Sequence, residues 1–105
     1  MKSRIKLFPK AERILKQVGE QIKLARLRRD MSIVELAERS KISKSTILLI
    51  ENGSPSTSIG AYMQALFVFG LESDFLYLAK DDELGRKLQD AKLVTKKRAS
   101  KKGLQ

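Results

Sequence analysis

The chain has 105 residues, enough for one domain with a modest core, and its 42% hydrophobic content predicts that it folds. It contains neither cysteine nor histidine. Disulfides and thiolate metal sites are therefore excluded, and the commonest general base and metal ligand are missing. We expect no enzyme activity, no metal and no other cofactor. Because no apolar run approaches about 18 residues and no signal peptide is evident, we expect a soluble cytoplasmic protein without membrane contact.

The net charge of +10 is concentrated at the two ends of the chain. Residues 1–30 carry ten Lys and Arg against three Asp and Glu, and residues 92–105 carry six basic residues and no acidic one. Residues 31–91 carry six basic against nine acidic residues. This distribution fits a polyanionic partner. A solubilising surface with a frayed basic tail explains the charge equally well.

Three segments are predicted along the chain. Residues 1–9 read as a flexible basic arm, residues 10–80 as a helical domain, and residues 81–105 as a C-terminal extension. Pro9 suits the first turn of a helix, where its missing N–H costs nothing. That helix runs to Arg29, and the apolar residues recurring on one of its faces are Ile14, Val18, Ile22 and Ala25.

Two short capped helices follow. Ser32 and Glu35 form a capping-box pattern before a helix over 33–39 that buries Leu36 and Ala37. After a tight turn, Ser43 caps a helix of about eight residues. Its inward residues are Ile47 and Ile50, and its end is at Asn52-Gly53, two residues that both tolerate a left-handed backbone.

Three further elements complete the predicted fold. A fourth helix ends at Gly70, and its apolar positions are Ile59, Tyr62, Leu66 and Phe69. Ser73-Asp74 caps a short fifth helix that contains Phe75, Leu76, Leu78 and Ala79. A weaker helical stretch runs from Glu83 to Ala91. The basic remainder, residues 92–105, has too few apolar residues to fold alone and is predicted to be a disordered tail.

The most informative stretch is residues 32–53, in which two short helices are joined by a tight turn. This arrangement holds the second helix out with its outer side chains free. A helix of this length fits the major groove of B-DNA, which is about 12 Å wide. The positive end of its dipole and its first N–H groups suit the phosphates that flank the contacted bases.

These residues resemble the helix-turn-helix of the lambda-repressor/Xre family, and the resemblance extends from about Ile22 to Leu78. The matching pieces are Glu35-Leu36-Ala37, Ile42-Ser43, Ser45-Thr46-Ile47, Ile50-Glu51-Asn52-Gly53, Phe69-Gly70-Leu71 and Ser73-Asp74-Phe75-Leu76. The resemblance implies an all-α five-helix bundle, usually dimeric, that binds double-stranded DNA and regulates transcription. A homodimer implies an inverted-repeat operator.

Site residues follow from the resemblance by position. It implies base contacts from Lys44, Ser45 and Leu49. The implied contacts to the DNA backbone are Ser43, Thr46, Asn52, Ser56 and Thr57. It also implies a structural salt bridge between Arg26 and Glu51.

Two positions depart from the family pattern. Ile33 stands where members often have a glutamine that contacts a phosphate, and its side chain cannot make that hydrogen bond. Leu49 stands where a polar residue is common. It cannot hydrogen-bond a base but can pack on a thymine methyl group. With its neighbour Leu48 it equally fits an apolar patch that faces a protein.

The aromatic residues Phe67, Phe75 and Tyr77 fit either the core or a dimer surface, and we expect a dimer interface centred on Phe75 and Leu76.

The C-terminal segment, residues 82–91, resembles HipB-type regulators, which repress their own operon and bind HipA-like kinase toxins. In that case Leu84 and Leu88, one turn apart, anchor the partner.

The sequence therefore favours a dimeric autorepressor of a toxin–antitoxin operon, nucleoid-associated through its operator. Two alternatives stay open. One is a protein-interaction adaptor with a degenerate helix-turn-helix, for which Ile33, Leu48 and Leu49 are the best support. The other is a phage-type or stress-type repressor without a toxin partner.

Overall fold

The computed structural model describes the backbone of residues 5–103 and the side chains of residues 5–94. Within residues 5–103 the chain forms five α-helices, one 3-10 helix and no β-strand. The helices are α1 (Pro9–Arg28), α2 (Ile33–Ser40), α3 (Lys44–Glu51), α4 (Ile59–Phe69), the 3-10 helix (Glu72–Tyr77) and α5 (Glu83–Gly103). The predicted all-α fold is confirmed.

The chain divides into two units, Met1–Phe75 and Leu76–Gln105. The first unit contains α1 to α4, and the second contains α5. The predicted segment boundaries after residues 9 and 80 stay predictions. No helix in the described part of the chain combines the length and apolar composition that a membrane span requires.

The core of the first unit is built around α3, which contacts α1, α2 and α4. Leu36, Ile47 and Ile50 are fully buried, as the sequence predicted. Among the residues whose side chains are described, the buried apolar residues are Ile22, Ala25, Met31, Leu36, Ala37, Ile47, Ile50, Tyr62, Ala65 and Phe69. Because each helix turns one stripe towards α3, the opposite face of α3 is left outside the core.

Two residues expected on buried faces are exposed. Ile14 is exposed because the whole first stretch of α1, residues 9–14, is exposed. The periodicity gives the correct face of α1 but does not show where its neighbours end. Ile59 is exposed because the buried face of α4 consists of Tyr62, Ala65 and Phe69, and Ile59 lies about 90° around the helix from the centre of that face.

The element after α4 differs from the prediction. Gly70 ends α4 in the left-handed conformation with φ 76°, as expected of glycine. The next element is a 3-10 helix that begins at Glu72, before the predicted cap at Ser73-Asp74. The N–H of Asp74 donates to the carbonyl of Leu71 at 3.0 Å, the i to i+3 bond of this helix type. Ala79 lies beyond the helix and has a left-handed φ of 58°.

The C-terminal helix is longer than predicted. Its backbone continues from Glu83 to Gly103, so the prediction of a helix ending at Ala91 is wrong, and residues 92–103 do not form the predicted disordered tail. The physical reason is that Lys, Arg, Ala and Leu all have high helix propensity, and propagating a helix costs far less than nucleating one. Low apolar content therefore excludes a packed core but not a helix.

Parts of the two basic ends fall outside the described residues. The predicted arm includes Lys2 and Arg4, which lie outside them, whereas residues 5–8 have no regular secondary structure. The side chains of the C-terminal basic residues from Lys96 to Lys102 also lie outside the described part.

Candidate nucleic-acid interface

The first helix of the candidate interface, α2, begins with a complete capping box. The N–H of Glu35 donates to Ser32 Oγ at 3.0 Å, and the N–H of Ser32 donates to Glu35 Oε1 at 3.0 Å. These two bonds satisfy backbone donors that the first turn of a helix leaves without a partner. The start of α2 is therefore fixed by local chemistry.

The turn between α2 and α3 depends on a left-handed residue. Lys41 ends α2 with φ 59° and ψ 41°, and the N–H of Ile42 donates back to the carbonyl of Ala37 at 3.1 Å. Ile42 also packs against the core. A six-to-one bond of this kind, together with an apolar contact after it, is typical of a sharp helix C-terminus.

The same turn is held from α4 by a side chain. Gln64 Nε2 donates to the carbonyl of Ser40 at 3.1 Å. The buried Ser40 hydroxyl donates to the carbonyl of Leu36 at 2.6 Å. Carbonyls in the last turn of a helix lack intrahelical partners, so the bond from Gln64 stabilises the end of α2 and thereby the direction in which α3 leaves. The bond to Leu36 satisfies the buried Ser40 hydroxyl.

Three hydroxyl groups meet at the start of α3. The N–H of Thr46 donates to Ser43 Oγ at 3.2 Å, which makes Ser43 the N-cap. Ser43 Oγ also lies 3.1 Å from Ser45 Oγ and 2.9 Å from Thr46 Oγ1. Ser43 and Ser45 are exposed, and Thr46 is half-buried. The structure thus brings together three residues predicted to touch DNA, at the positive end of the α3 dipole.

The outer face of α3 consists of five exposed residues, Lys44, Ser45, Leu48, Leu49 and Asn52. At about 100° per residue they span an arc of about 140°, opposite the buried Ile47 and Ile50. The arc is mixed in chemistry, with an ammonium group, a hydroxyl group, two isobutyl groups and a carboxamide group. It includes the three predicted base-contacting residues and adds Leu48 beside them.

A buried ion pair joins α1 to the C-terminal end of α3. Arg26 Nε donates to Glu51 Oε2 at 2.7 Å, and its Nη2 donates to Glu51 Oε1 at 3.1 Å. Arg26 Nη1 donates to the carbonyl of Met31 at 2.8 Å. The hydrogen bond to Glu51 and the charge of that carboxylate raise the pKa of Arg26 against the opposing effect of burial. The geometry is the bidentate fork of a structural pair and occupies three donors of Arg26.

Close to this pair, α1 and the end of α3 approach backbone to backbone. A Cβ atom on Gly19 would lie 2.6 Å from the amide nitrogen of Gly53 and 2.6 Å from the carbonyl oxygen of Ile50. A Cβ atom on Gly53 would lie 2.6 Å from the carbonyl oxygen of Leu15. Gly53 also has a left-handed φ of 70°, whereas Asn52 does not, with φ −90°. Only glycine fits at both positions.

The loop after α3 is organised by its own polar groups. Ser56 N–H donates to Ser54 Oγ at 3.1 Å, and the Tyr62 hydroxyl donates to the carbonyl of Ser54 at 3.0 Å. Burial raises the pKa of Tyr62, which keeps this donor protonated. Ser56 is exposed. Thr57 differs, because its Oγ1 is shielded from solvent and has no hydrogen-bond partner among the described residues. The predicted contact between Thr57 and a phosphate would require this hydroxyl to turn outward.

The remaining predicted residues differ in their exposure. Ile33 packs against the core, which accounts for an apolar residue at that position. Phe75 is half-buried against the core of the first unit, and Leu76, in the second unit, is exposed. Leu84 and Leu88 are exposed on α5.

Sequence reasoning missed several contacts that orient the interface. Arg29 donates to the carbonyl of Phe69 at 3.2 Å and lies over its ring, 5.1 Å from the centroid. Neither this contact nor that of Gln64 has a local sequence signal, because the partners are distant in the chain. The glycine contact did have one: an isolated glycine inside a helical pattern, such as Gly19, indicates close packing.

Comparison with known proteins agrees with this geometry. Residues 22–66 match a family model described as helix-turn-helix. These residues include α2, the turn, α3 and most of α4. No curated protein matches the chain. Residues 22–66 therefore form a helix-turn-helix domain of the lambda-repressor/Xre type, the domain of DNA-binding transcription regulators.

Proposed function

We propose that the chain is a sequence-specific transcriptional regulator that places the outer face of α3 in the major groove. The observation that carries this proposal is the exposure of Lys44, Ser45 and Leu49 on one face of a capped helix whose other face is fixed to the core. Ser43, Thr46, Asn52, Ser56 and Thr57 contact the flanking backbone. Binding to an operator makes the chain nucleoid-associated.

Lys44→Ala tests the reading of bases. We expect it to weaken binding to a selected operator by about 1–3 kcal/mol and to change binding to random DNA little, because a base contact is lost. Fluorescence anisotropy at several salt concentrations measures both affinities. Lys23→Ala, which removes an exposed charge from α1, is the control. Equal losses on both DNAs for Lys44→Ala would reduce Lys44 to a phosphate contact.

We also propose a homodimer on an inverted-repeat operator, with Leu76 and Phe75 in the interface. Further support comes from α4, where Ile59, Met63 and Phe67 form an exposed apolar stripe at i, i+4 and i+8. Residues 52–71 contain no charged side chain. Two copies of a chain with net charge +10 repel each other, and this repulsion is weakest where they meet through a face without charged side chains.

Charge placed at Leu76 or, separately, in the α4 stripe should separate the subunits. We expect Leu76→Glu or Phe67→Glu to sediment as a monomer and to bind the operator at least about tenfold more weakly, because a buried charge costs more than 1.4 kcal/mol. Both side chains are exposed, so the fold persists. Ile14→Glu, at an exposed apolar position on α1, is the control. If both variants stay dimeric, the dimer interface lies at other residues.

The toxin–antitoxin role is the narrower part of the proposal. We place a HipA-like kinase toxin on α5, and the support is that Leu84 and Leu88 are exposed one turn apart on a helix rich in basic residues. The chain then acts as an antitoxin that represses its own operon.

A protein-interaction adaptor that no longer reads DNA is the second candidate function, favoured by the exposure of Leu48 and Leu49.

Paired substitutions separate partner binding from DNA binding. We expect Leu84→Ser with Leu88→Ser to abolish binding to a HipA-like kinase, since burying each leucine side chain in a groove contributes about 1.5–3 kcal/mol to the binding free energy. Operator affinity should change less than about twofold. Pull-down with the kinase and anisotropy with the operator give the two readouts. Leu93→Ser, at another exposed position of α5, is the matched control. If the double variant binds the kinase as well as the original chain does, the partner does not contact Leu84 and Leu88.

A further inference from the structure

We infer that Leu48 and Leu49 together read the 5-methyl groups of pyrimidines, so that the chain distinguishes methylated from unmethylated pyrimidine positions in the major groove. The inference rests on the proposed function, in which the outer face of α3 meets DNA. It adds Leu48 as a specificity residue and extends the recognised group from the thymine methyl to the 5-methyl group of any pyrimidine.

The exposure of these leucines is not explained by the fold. Leu48 is 51% and Leu49 41% exposed, although the adjacent Ile47 and Ile50 are completely buried. The core of the first unit therefore contacts α3 through other positions and leaves two large apolar side chains side by side in the outer arc. Solvent exposure of such a pair is unfavourable unless another surface covers it.

The flanking residues indicate that this surface is DNA. Lys44 precedes Leu48 by one helical turn on the same face, and Asn52 follows it by one turn. An ammonium group attracts phosphates, and a carboxamide hydrogen-bonds base edges or phosphates. A protein-binding apolar patch is favoured by a charge-free surrounding, such as residues 52–71 provide, and the leucine pair lacks that surrounding at Lys44.

In the major groove the apolar group that an isobutyl side chain can contact is the 5-methyl group of thymine. A cytosine methylated at C5 presents the same methyl group at the same edge. Two adjacent leucines, about 100° apart around the helix, extend over neighbouring base steps. The contact therefore depends on the methyl group itself and not on which pyrimidine carries it.

The test uses a duplex that the full-length chain selects from a random pool. At each pyrimidine position of the selected site, two pairs of duplexes are compared. One pair has thymine or uracil at that position and the other has 5-methylcytosine or cytosine. The two members of a pair differ only in the methyl group. We expect one or two positions at which both pairs differ by about fourfold in dissociation constant, the effect of one buried methyl group. Leu48→Ala or Leu49→Ala should reduce that difference towards one.

Leu27→Ala is the matched control, because Leu27 is 48% exposed on α1 and away from the arc. It should leave the methyl effect intact. A selected duplex bound equally well with and without every methyl group would overturn the inference and leave the proposed DNA reading in place. A methyl effect that persists in both leucine variants would overturn it too. If no duplex is selected at all, the proposed function itself fails.

Discussion

Arg26→Met is expected to lower the free energy of unfolding by about 3–5 kcal/mol. The side chain is buried and joins two helices that are 25 residues apart in sequence. Its loss leaves the buried carboxylate of Glu51 without its counter-charge and the carbonyl of Met31 without its donor. Urea denaturation followed by circular dichroism measures the change.

Two controls separate this mechanism from general damage. Arg29→Met removes a guanidinium from the exposed residue three positions on, which donates to Ala25 and Phe69, and should cost about 1 kcal/mol. The double variant Arg26→Met with Glu51→Leu should recover much of the stability, because replacing a whole buried pair by apolar residues removes the unpaired charge. If Arg26→Met alone is as stable as the double variant, the Glu51 carboxylate does not require Arg26 for its burial.

Gly53→Ala is expected to lower the free energy of unfolding by about 2–5 kcal/mol. A left-handed alanine costs about 1–2 kcal/mol, and the overpacking against α1 adds about 1–3 kcal/mol. The contacts in question are with the backbone of Leu15 and Lys16, which cannot rotate out of the way. Thermal unfolding monitored by circular dichroism reports the loss.

The other glycines provide matched controls for the two contributions. Gly70 has φ 76° but nothing within 4 Å of its Cβ position, so Gly70→Ala should show the backbone cost alone, about 1–2 kcal/mol. Gly60 lies in α4 with only Ser58 Oγ at 3.8 Å, and Gly60→Ala should stabilise by about 0.5–1 kcal/mol. If Gly53→Ala costs no more than Gly70→Ala, the close approach of the two backbones is not tight in solution.

The parts of the fold that the sequence predicted are those set by neighbouring residues. Ser32 with Glu35, and Ser43 with Thr46, are caps whose partners lie three residues apart, so their sequence pattern contains the whole interaction. The end of α4 at Gly70 follows from the same local chemistry. These signals predicted the bounds of α2 and α3, and the end of α4, to within one residue.

The parts that escaped prediction depend on distant residues. The bond from Gln64 to Ser40 joins residues 24 apart, and that from Arg29 to Phe69 joins residues 40 apart. Periodicity also cannot show that the first stretch of α1 extends past its neighbours, which is why Ile14 is exposed. The pairing of Arg26 with Glu51 came from the family resemblance and not from any pattern in this sequence.

The glycine contact between α1 and α3 has a consequence for the thermodynamics of recognition. Where two helices touch through their backbones, no rotamers lie between them to rearrange. The bidentate pair of Arg26, about two helical turns after Gly19 on α1, fixes the second point of attachment. The reading helix is thus preorganised in the unbound protein. Little conformational entropy is lost when it enters the groove, so affinity depends mainly on the side chains of its outer face and on the ease with which the DNA deforms.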